Sequence, residues 1–329
     1  MKKLSVKDLS KPIILAAFFL ILTILRPSSF LTIGNLGNVL WSVSIYGVMV
    51  SGTIFVFLLG GIDLSIGTLC GLTGVTCVMT VRAFGYSPAG VVAGILVALT
   101  VGLLAGLIHG LIITTFHVPA FLVTFATQTI YLGLSMILTN NKILDCTNPK
   151  LFTSIGKNPI PIILMVVAAL ISWYVLRKTE TGRYVYAVGG NDQAAAISGI
   201  SVRKITIMAY MISGFTTAIG GIILSSMTQQ GMASNGSGYE QYVIMAGVIG
   251  GISLLGGEGT VPGAIFGAMI IGLLQNGLNL MSVPSTQHGL VRGLVIIAAV
   301  GFDALQRDTK FQSWLAKRRQ AKAAGKSTA

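Results

Sequence analysis

Side chains able to do chemistry are few in this sequence, and they are poorly arranged for catalysis. Three histidines, His109, His117 and His288, have no Cys, Asp or Glu at ligand spacing, so no metal site is expected. Two carboxylates, Asp63 and Glu258, fall in Gly-rich turns at the edge of apolar segments. An acid at such a depth is a candidate functional group. Asp63 is also followed by Ser65 and a fresh apolar run, so it can equally satisfy the amides that open a helix. No file of acids, histidines and arginines crosses the apolar segments, which argues against a proton relay. The amides are more telling. Gln128, Asn276 and Asn279 interrupt apolar stretches, and Gln275 and Asn276 precede Asn279 at offsets that share one helical face. In apolar surroundings such amides join helices or line a wet path, and a hydroxyl-rich solute suits the path. Asp63, Ser65, Gln128, Asn276 and Asn279 are the candidate path residues.

Catalytic and cofactor signatures are missing. Gly325-Lys326-Ser327 imitates the end of a phosphate-binding loop, but position 320 is Gln where the first Gly belongs, and no apolar strand precedes it. Cys70 and Cys77 lie seven apart, too far along a helix for a disulfide, and Cys146 stands by itself. No catalytic residue, metal or cofactor is assigned, and the chain is read as a non-enzyme.

The elements that must position these residues are membrane helices. Of 329 residues 53% are hydrophobic and only 9% are charged, where a soluble chain carries roughly 25% charged residues. Such a chain cannot cover itself with charge, so its surface must face lipid. The 41 glycines fit helices that pack backbone to backbone. The predicted class is all-α and polytopic, with about ten transmembrane helices, some broken at glycine. The candidate spans are 12–26, 39–59, 62–81, 88–108, 119–138, 160–176, 205–226, 241–255, 262–280 and 290–305. The N-terminal apolar run lacks a small-residue cleavage site and reads as a retained helix rather than a signal peptide.

The net charge of +13 has a topological reading rather than a nucleic-acid one. With the N-terminus inside, 16 of the 22 Lys and Arg residues fall on the inner face, in 1–11, 177–204 and the tail from 307. Residues 1–11 are then a cytoplasmic N-terminus, 12–306 the membrane-spanning domain, and 307–329 a basic tail against the anionic inner leaflet. Thr139–Pro159 and Gln229–Glu240 read as outer loops. Gly60-Gly61-Ile62-Asp63 is echoed by Gly250-Gly251-Ile252-Ser253, which reads either as a structural repeat or as coincidence among glycines.

The stretch 177–204 concentrates polarity, with seven charged residues in 28. Inside it Gly189-Gly190 is a breaker, Asn191 an N-cap, Asp192 a partner for the helix dipole, and Gly199 a left-handed C-cap. These predict a helix of roughly seven residues outside the membrane. Its surface is small and apolar, Ala194 to Ile197, and so short a helix needs something to dock on. The headgroup layer or the chain's own loops would also serve.

Three stretches together resemble one family. TGRYVYAVGGNDQAAAISGI from Thr181, GGIDLSIG at 60–67 and the run from Gly238 to Val283 are similar to those of permease subunits of bacterial ribose/xylose-type sugar ABC importers. The resemblance implies an importer permease fold of ten helices in the bacterial inner membrane. It implies an ATPase subunit on a separate chain, an external sugar-binding protein and a second permease, identical or paralogous. Carried onto this chain, Gly189, Asn191, Ala194, Ala195, Ser198 and Gly199 belong to the ATPase-docking segment. Charging Ala195 is expected to stop uptake and leave insertion intact. The alternatives are an ion-coupled secondary transporter, which needs mid-membrane ionisable residues, and a membrane enzyme, which needs a nucleophile–base or metal constellation.

Overall fold

The structure, a computed structural model, describes residues 6–307; the first five residues and the tail from 308, with its Gly325-Lys326-Ser327, lie outside the described residues. In chain order the helices are α1 (Val6–Leu25), α2 (Pro27–Phe30), α3 (Ile33–Leu58), α4 (Ile66–Ala83), α5 (Pro88–Phe116), α6 (Ala120–Thr139) and α7 (Lys150–Ile155). They continue as α8 (Ile160–Lys178), α9 (Glu180–Gly190), α10 (Asp192–Ile197), α11 (Val202–Thr228), α12 (Tyr239–Ile249), α13 (Val261–Leu280) and α14 (Ser285–Arg307). The only strands among the described residues are β1 (Leu144–Asp145) and β2 (Gln230–Gly231), paired antiparallel. Two units make up the chain, one ending at Met281 and one beginning at Ser282. Within the second, the His288 ring is hydrogen-bonded to the Val283 carbonyl.

All ten predicted spans fall on helices, but they are not alike. Seven described helices, α3, α4, α5, α6, α8, α11 and α13, are long and apolar enough to cross a membrane. In α1 the apolar run covers only Leu15–Leu25. The eighth predicted span, 241–255, is corrected most: α12 has 11 residues, about 16 Å at 1.5 Å each, and stops at Ile249. It stops because Gly251 turns left-handed (φ 76°) and the Gly251 and Ile252 amides close back on the carbonyls of Val248 and Gly247. Hydropathy does not see such a cap, since Gly250 to Leu255 carries no charge.

α3 ends in the same way. Gly60 is left-handed (φ 75°), and the Gly60 and Gly61 amides donate to the carbonyls of Phe57 and Val56. After each cap an oxygen side chain accepts the amide two residues on, Asp63 from Ser65 and Ser253 from Leu255. The two turns therefore share their construction, although the left-handed residue is the first glycine of one pair and the second of the other. They also touch, because a Cβ on Gly60 would meet the Leu255 carbonyl at 3.1 Å.

α11 is flanked by α3, α4 and α5. Gly102, Gly106 and Gly110, at intervals of four, bring one face of α5 against the α11 backbone at Gly214, Tyr210 and Ile207. The outer flanks of α5, α6 and α8 expose large apolar side chains such as Leu96, Ile137 and Ile163, as a lipid-facing surface must.

Gln229–Glu240 is not an exposed loop. Gly231, Ala233, Asn235, Gly236 and Glu240 are buried, and the segment lies along α4, with Gly71 and Gly67 beside Asn235 and Gly236. Irregular backbone survives at this depth only when covered by protein with its polar groups satisfied. Here Asn235 donates to the Gln230 carbonyl and to Thr228 Oγ1, and the Glu240 carboxylate accepts the Gly238 amide. Glu240 is thus a buried acid like Asp63, whereas Glu258 is exposed.

Candidate functional site

Two features stand at opposite ends of α3. At its C-terminal end, α9 and the loop 250–260 form a backbone junction. The Gly257 amide donates to the Leu58 carbonyl at 2.8 Å. A Cβ on Gly189 would overlap the same carbonyl oxygen, so α9 can seat there only as glycine. Tyr186, one turn earlier, donates its hydroxyl to the Gly259 carbonyl at 2.8 Å, and burial pushes its phenol above the usual value, keeping the donor proton in place. α9 itself went unforeseen. Thr179 caps it by accepting the Gly182 amide, and Gly189-Gly190 completes the helix rather than breaking it.

α10 leaves this junction as a short projection. Asn191 Oδ1 accepts the Ala194 amide at 2.8 Å, and Gly199 (φ 82°) ends the helix while Ile200 closes on the Ala195 carbonyl. The helix is six residues, Asp192–Ile197, where roughly seven were expected. Ser198 folds its hydroxyl back to the Ala194 carbonyl. One expectation needs correction: Ala195 is 5% exposed and faces its own chain, so charging it would damage the fold itself. Ile197, at 89% exposure, is the apolar side chain offered outward. Leu255, on the adjoining loop, is also exposed.

Toward the N-terminal end of α3 lies a cavity of about 520 Å³. Asn38 is 20 residues from Leu58, about 30 Å along the helix. Asn276 and Asn279 line the cavity together with Gln275. Their neighbours were not legible in the sequence: Trp41 and Tyr46 from α3, Tyr239 and Tyr242 from α12. Tyr46 and Tyr242 stack with centroids 5.5 Å apart, and Tyr242 donates to Gln275 Oε1 at 3.4 Å. Trp41 Nε1 donates to the Gly156 carbonyl at 2.7 Å, which ties the segment after α7 to the cavity rim. Asn35 and Asn276 exchange amide hydrogen bonds of 3.2 and 2.7 Å. A smaller cavity of about 250 Å³ adjoins, sharing Asn38, Trp41 and Met227.

Asp63, Ser65 and Gln128 do not line either cavity. Asp63 is buried and satisfied: Oδ1 accepts the Ser65 amide and hydroxyl at 3.0 and 2.6 Å, and Oδ2 accepts Ser213 Oγ at 3.4 Å. It holds the turn after α3 to α11. Gln128 is half-buried on α6. His109 is buried and hydrogen-bonded to Thr127 and Tyr131, a packed histidine that joins α5 to α6. His117 is exposed at the end of α5. Among the described residues no cluster of three His, Cys, Asp or Glu side chains could hold a metal ion.

Comparison with known proteins agrees with this architecture. Residues 35–300 match the family described as branched-chain amino acid transport system / permease component. The ribose import permease protein RbsC of Bacillus subtilis strain 168 is 41% identical over 290 residues, 86% of this chain and 88% of that protein. RbsC of Escherichia coli K12 is 37% identical over 88% of this chain and 92% of its own length. The L-arabinose transport system permease protein AraH of Escherichia coli K12 is 34% identical over 91% and 90%. No solved structure matches the chain. A family match over most of the sequence decides against the ion-coupled secondary transporter. The chain is a multi-pass membrane protein and belongs to the family of ABC importer permease components, among relatives of the ribose type.

Proposed function

We propose that this chain is the membrane-spanning half of an ATP-driven importer for a sugar or a sugar-like neutral solute in the bacterial inner membrane. ATP is hydrolysed on a partner ABC ATPase that docks on the segment 177–204, so the chain itself is not an enzyme. A periplasmic or extracellular binding protein delivers solute to the cavity end, and a second permease, identical or paralogous, completes the pore. The 16-to-6 division of Lys and Arg supports this orientation, with 177–204 and both termini on the cytoplasmic side.

The observation that carries this reading is the seat of α9 on the end of α3. An exposed projection, α10, is joined to α9; α9 rests on the Leu58 carbonyl; α3 runs on to Trp41 and Tyr46 at the cavity. Movement of a docked partner is thereby delivered to the cavity wall through one rigid helix. The residues docking the ATPase are Asn191, Ala194, Ser198 and Gly199, which shape α10, together with Ile197, which it presents. Gly189 and Ala195 hold the projection to the membrane unit. The solute class follows the ribose and L-arabinose in the relatives' names.

The test is reconstitution. The permease, its ATPase and its binding protein in liposomes accumulate D-ribose or a related sugar on addition of ATP, and omitting the ATPase stops uptake. Sugar accumulation driven by an ion gradient without the ATPase contradicts the reading.

A further inference from the structure

We infer that the permease cavity is itself a selective sugar site, which reads hydroxyl groups and turns away charged solutes. The inference rests on the proposed function and adds to it a second point of selection beyond the delivering protein. Its basis is the chemistry of the wall. None of the 16 lining residues is Asp, Glu, Lys, Arg or His; the polar ones are amides, tyrosines, one serine and one threonine. A zwitterion or a sugar acid entering this cavity would shed water with no opposite charge on the cavity's own wall to receive it, Lys157 lying on the adjoining smaller cavity, and that costs several kcal/mol per ion. A neutral polyol exchanges its water hydrogen bonds for amide ones. The family description mentions branched-chain amino acids; this lining is the wrong one for them.

The hydrogen-bond inventory identifies the reader. An Asn side chain has two N–H donors and two acceptor lone pairs. Asn35 commits both donors, to Asn276 Oδ1 and to the Phe30 carbonyl. Asn276 commits one donor and one lone pair to Asn35. One donor and one acceptor therefore remain on a side chain whose orientation is already fixed, the combination a hydroxyl group or a pair of neighbouring hydroxyls satisfies. Around it the walls are rings. Trp41 has its single N–H engaged with Gly156, so only its ring is offered to the cavity. The stacked Tyr46 and Tyr242 supply flat apolar faces for the C–H side of a sugar. Gly272 lets α13 pack closely on α3 beside the cavity, since a Cβ there would crowd Val43 and meet the Tyr46 hydroxyl at 3.0 Å.

Trp41 makes the site observable. The full chain in lipid nanodiscs, with Trp173→Phe and Trp314→Phe as background, is titrated with D-ribose and with L-leucine while Trp41 emission is followed. A saturable change with D-ribose and none with L-leucine is expected. Asn276→Leu and Asn279→Leu should each weaken D-ribose binding about tenfold, as for a site that has lost a hydrogen bond to a hydroxyl. Because Asn276→Leu also breaks the pair with Asn35, Asn279→Leu and a thermal unfolding trace of each variant guard against misfolding. Equal responses to D-ribose and L-leucine, no saturable response, or unchanged binding in folded variants overturns the inference. ATP-driven uptake by the same preparation with its partners separates the two claims: uptake without a Trp41 response leaves the importer standing and removes the selective site.

Discussion

The α-carbon of Gly189 lies against the carbonyl oxygen of Leu58 so closely that no other residue fits, and the same oxygen accepts the amide of Gly257. One backbone oxygen at the end of a long helix thus receives both the helix that carries the projection and the loop beside it. Gly190, the next residue, has nothing within 4 Å of its would-be Cβ. Gly189→Ala forces α9 away from α3 at about 1–3 kcal/mol, and ATP-driven uptake falls about tenfold or more. Gly190→Ala changes uptake less than about twofold. Uptake measured on equal amounts of inserted protein checks both; equal effects would deny that the seat transmits anything.

Ile197 and Ala195 differ in direction although they are two residues apart. Ile197→Glu alters an exposed side chain, so permease stability shifts by no more than about 0.5 kcal/mol, while co-purification of the ATPase is lost. Ala195→Glu buries a charge without a partner, and the permease itself loses stability by several kcal/mol. Thermal unfolding and pull-down of each variant separate the two cases.

Tyr186→Phe removes the hydroxyl held by Gly259 and weakens the junction by about 1 kcal/mol without emptying space. Because burial raises the phenol, it stays protonated, and the deficit of the variant is constant from about pH 6 to about pH 9. A deficit that disappears toward the alkaline end would mean that the phenol ionises and the assignment is wrong.

Asn35 and Asn276 couple α3 to α13. Each single Ala substitution strands the other amide, and the double substitution costs less than the sum. A double-mutant cycle on thermal stability in detergent should return about 0.6–1.7 kcal/mol of coupling. Strict additivity would show that the pair carries no energy.

Local signals were legible in the sequence. Asn191 and Gly199 specify the ends of α10 through their own side chain and backbone, and the long apolar runs specify the major helices. The rest depended on tertiary structure. The polar residues of 229–240 suit water or a protein interior equally, and only Gly67 and Gly71 on α4 decide between them. The amides Asn276 and Asn279 were visible as oddities in an apolar helix. Trp41, Tyr46 and Tyr242 were not, because aromatic residues in an apolar helix look like ordinary filling until α3 and α12 bring them to one cavity. Asp63 drew attention as an intramembrane acid, and its partners Ser65 and Ser213 give it a structural task.

Docking through α10 is the claim on which the others depend, and cross-linking tests it most directly. The native cysteines Cys70, Cys77 and Cys146 are buried, so a thiol cross-linker on Ile197→Cys reports that position alone. In the assembled complex, in membranes, the account predicts one cross-linked product joining this chain to the nucleotide-hydrolysing subunit. Labelling of that cysteine by an impermeant reagent from outside the cell, or no product with the ATPase in an active complex, contradicts it.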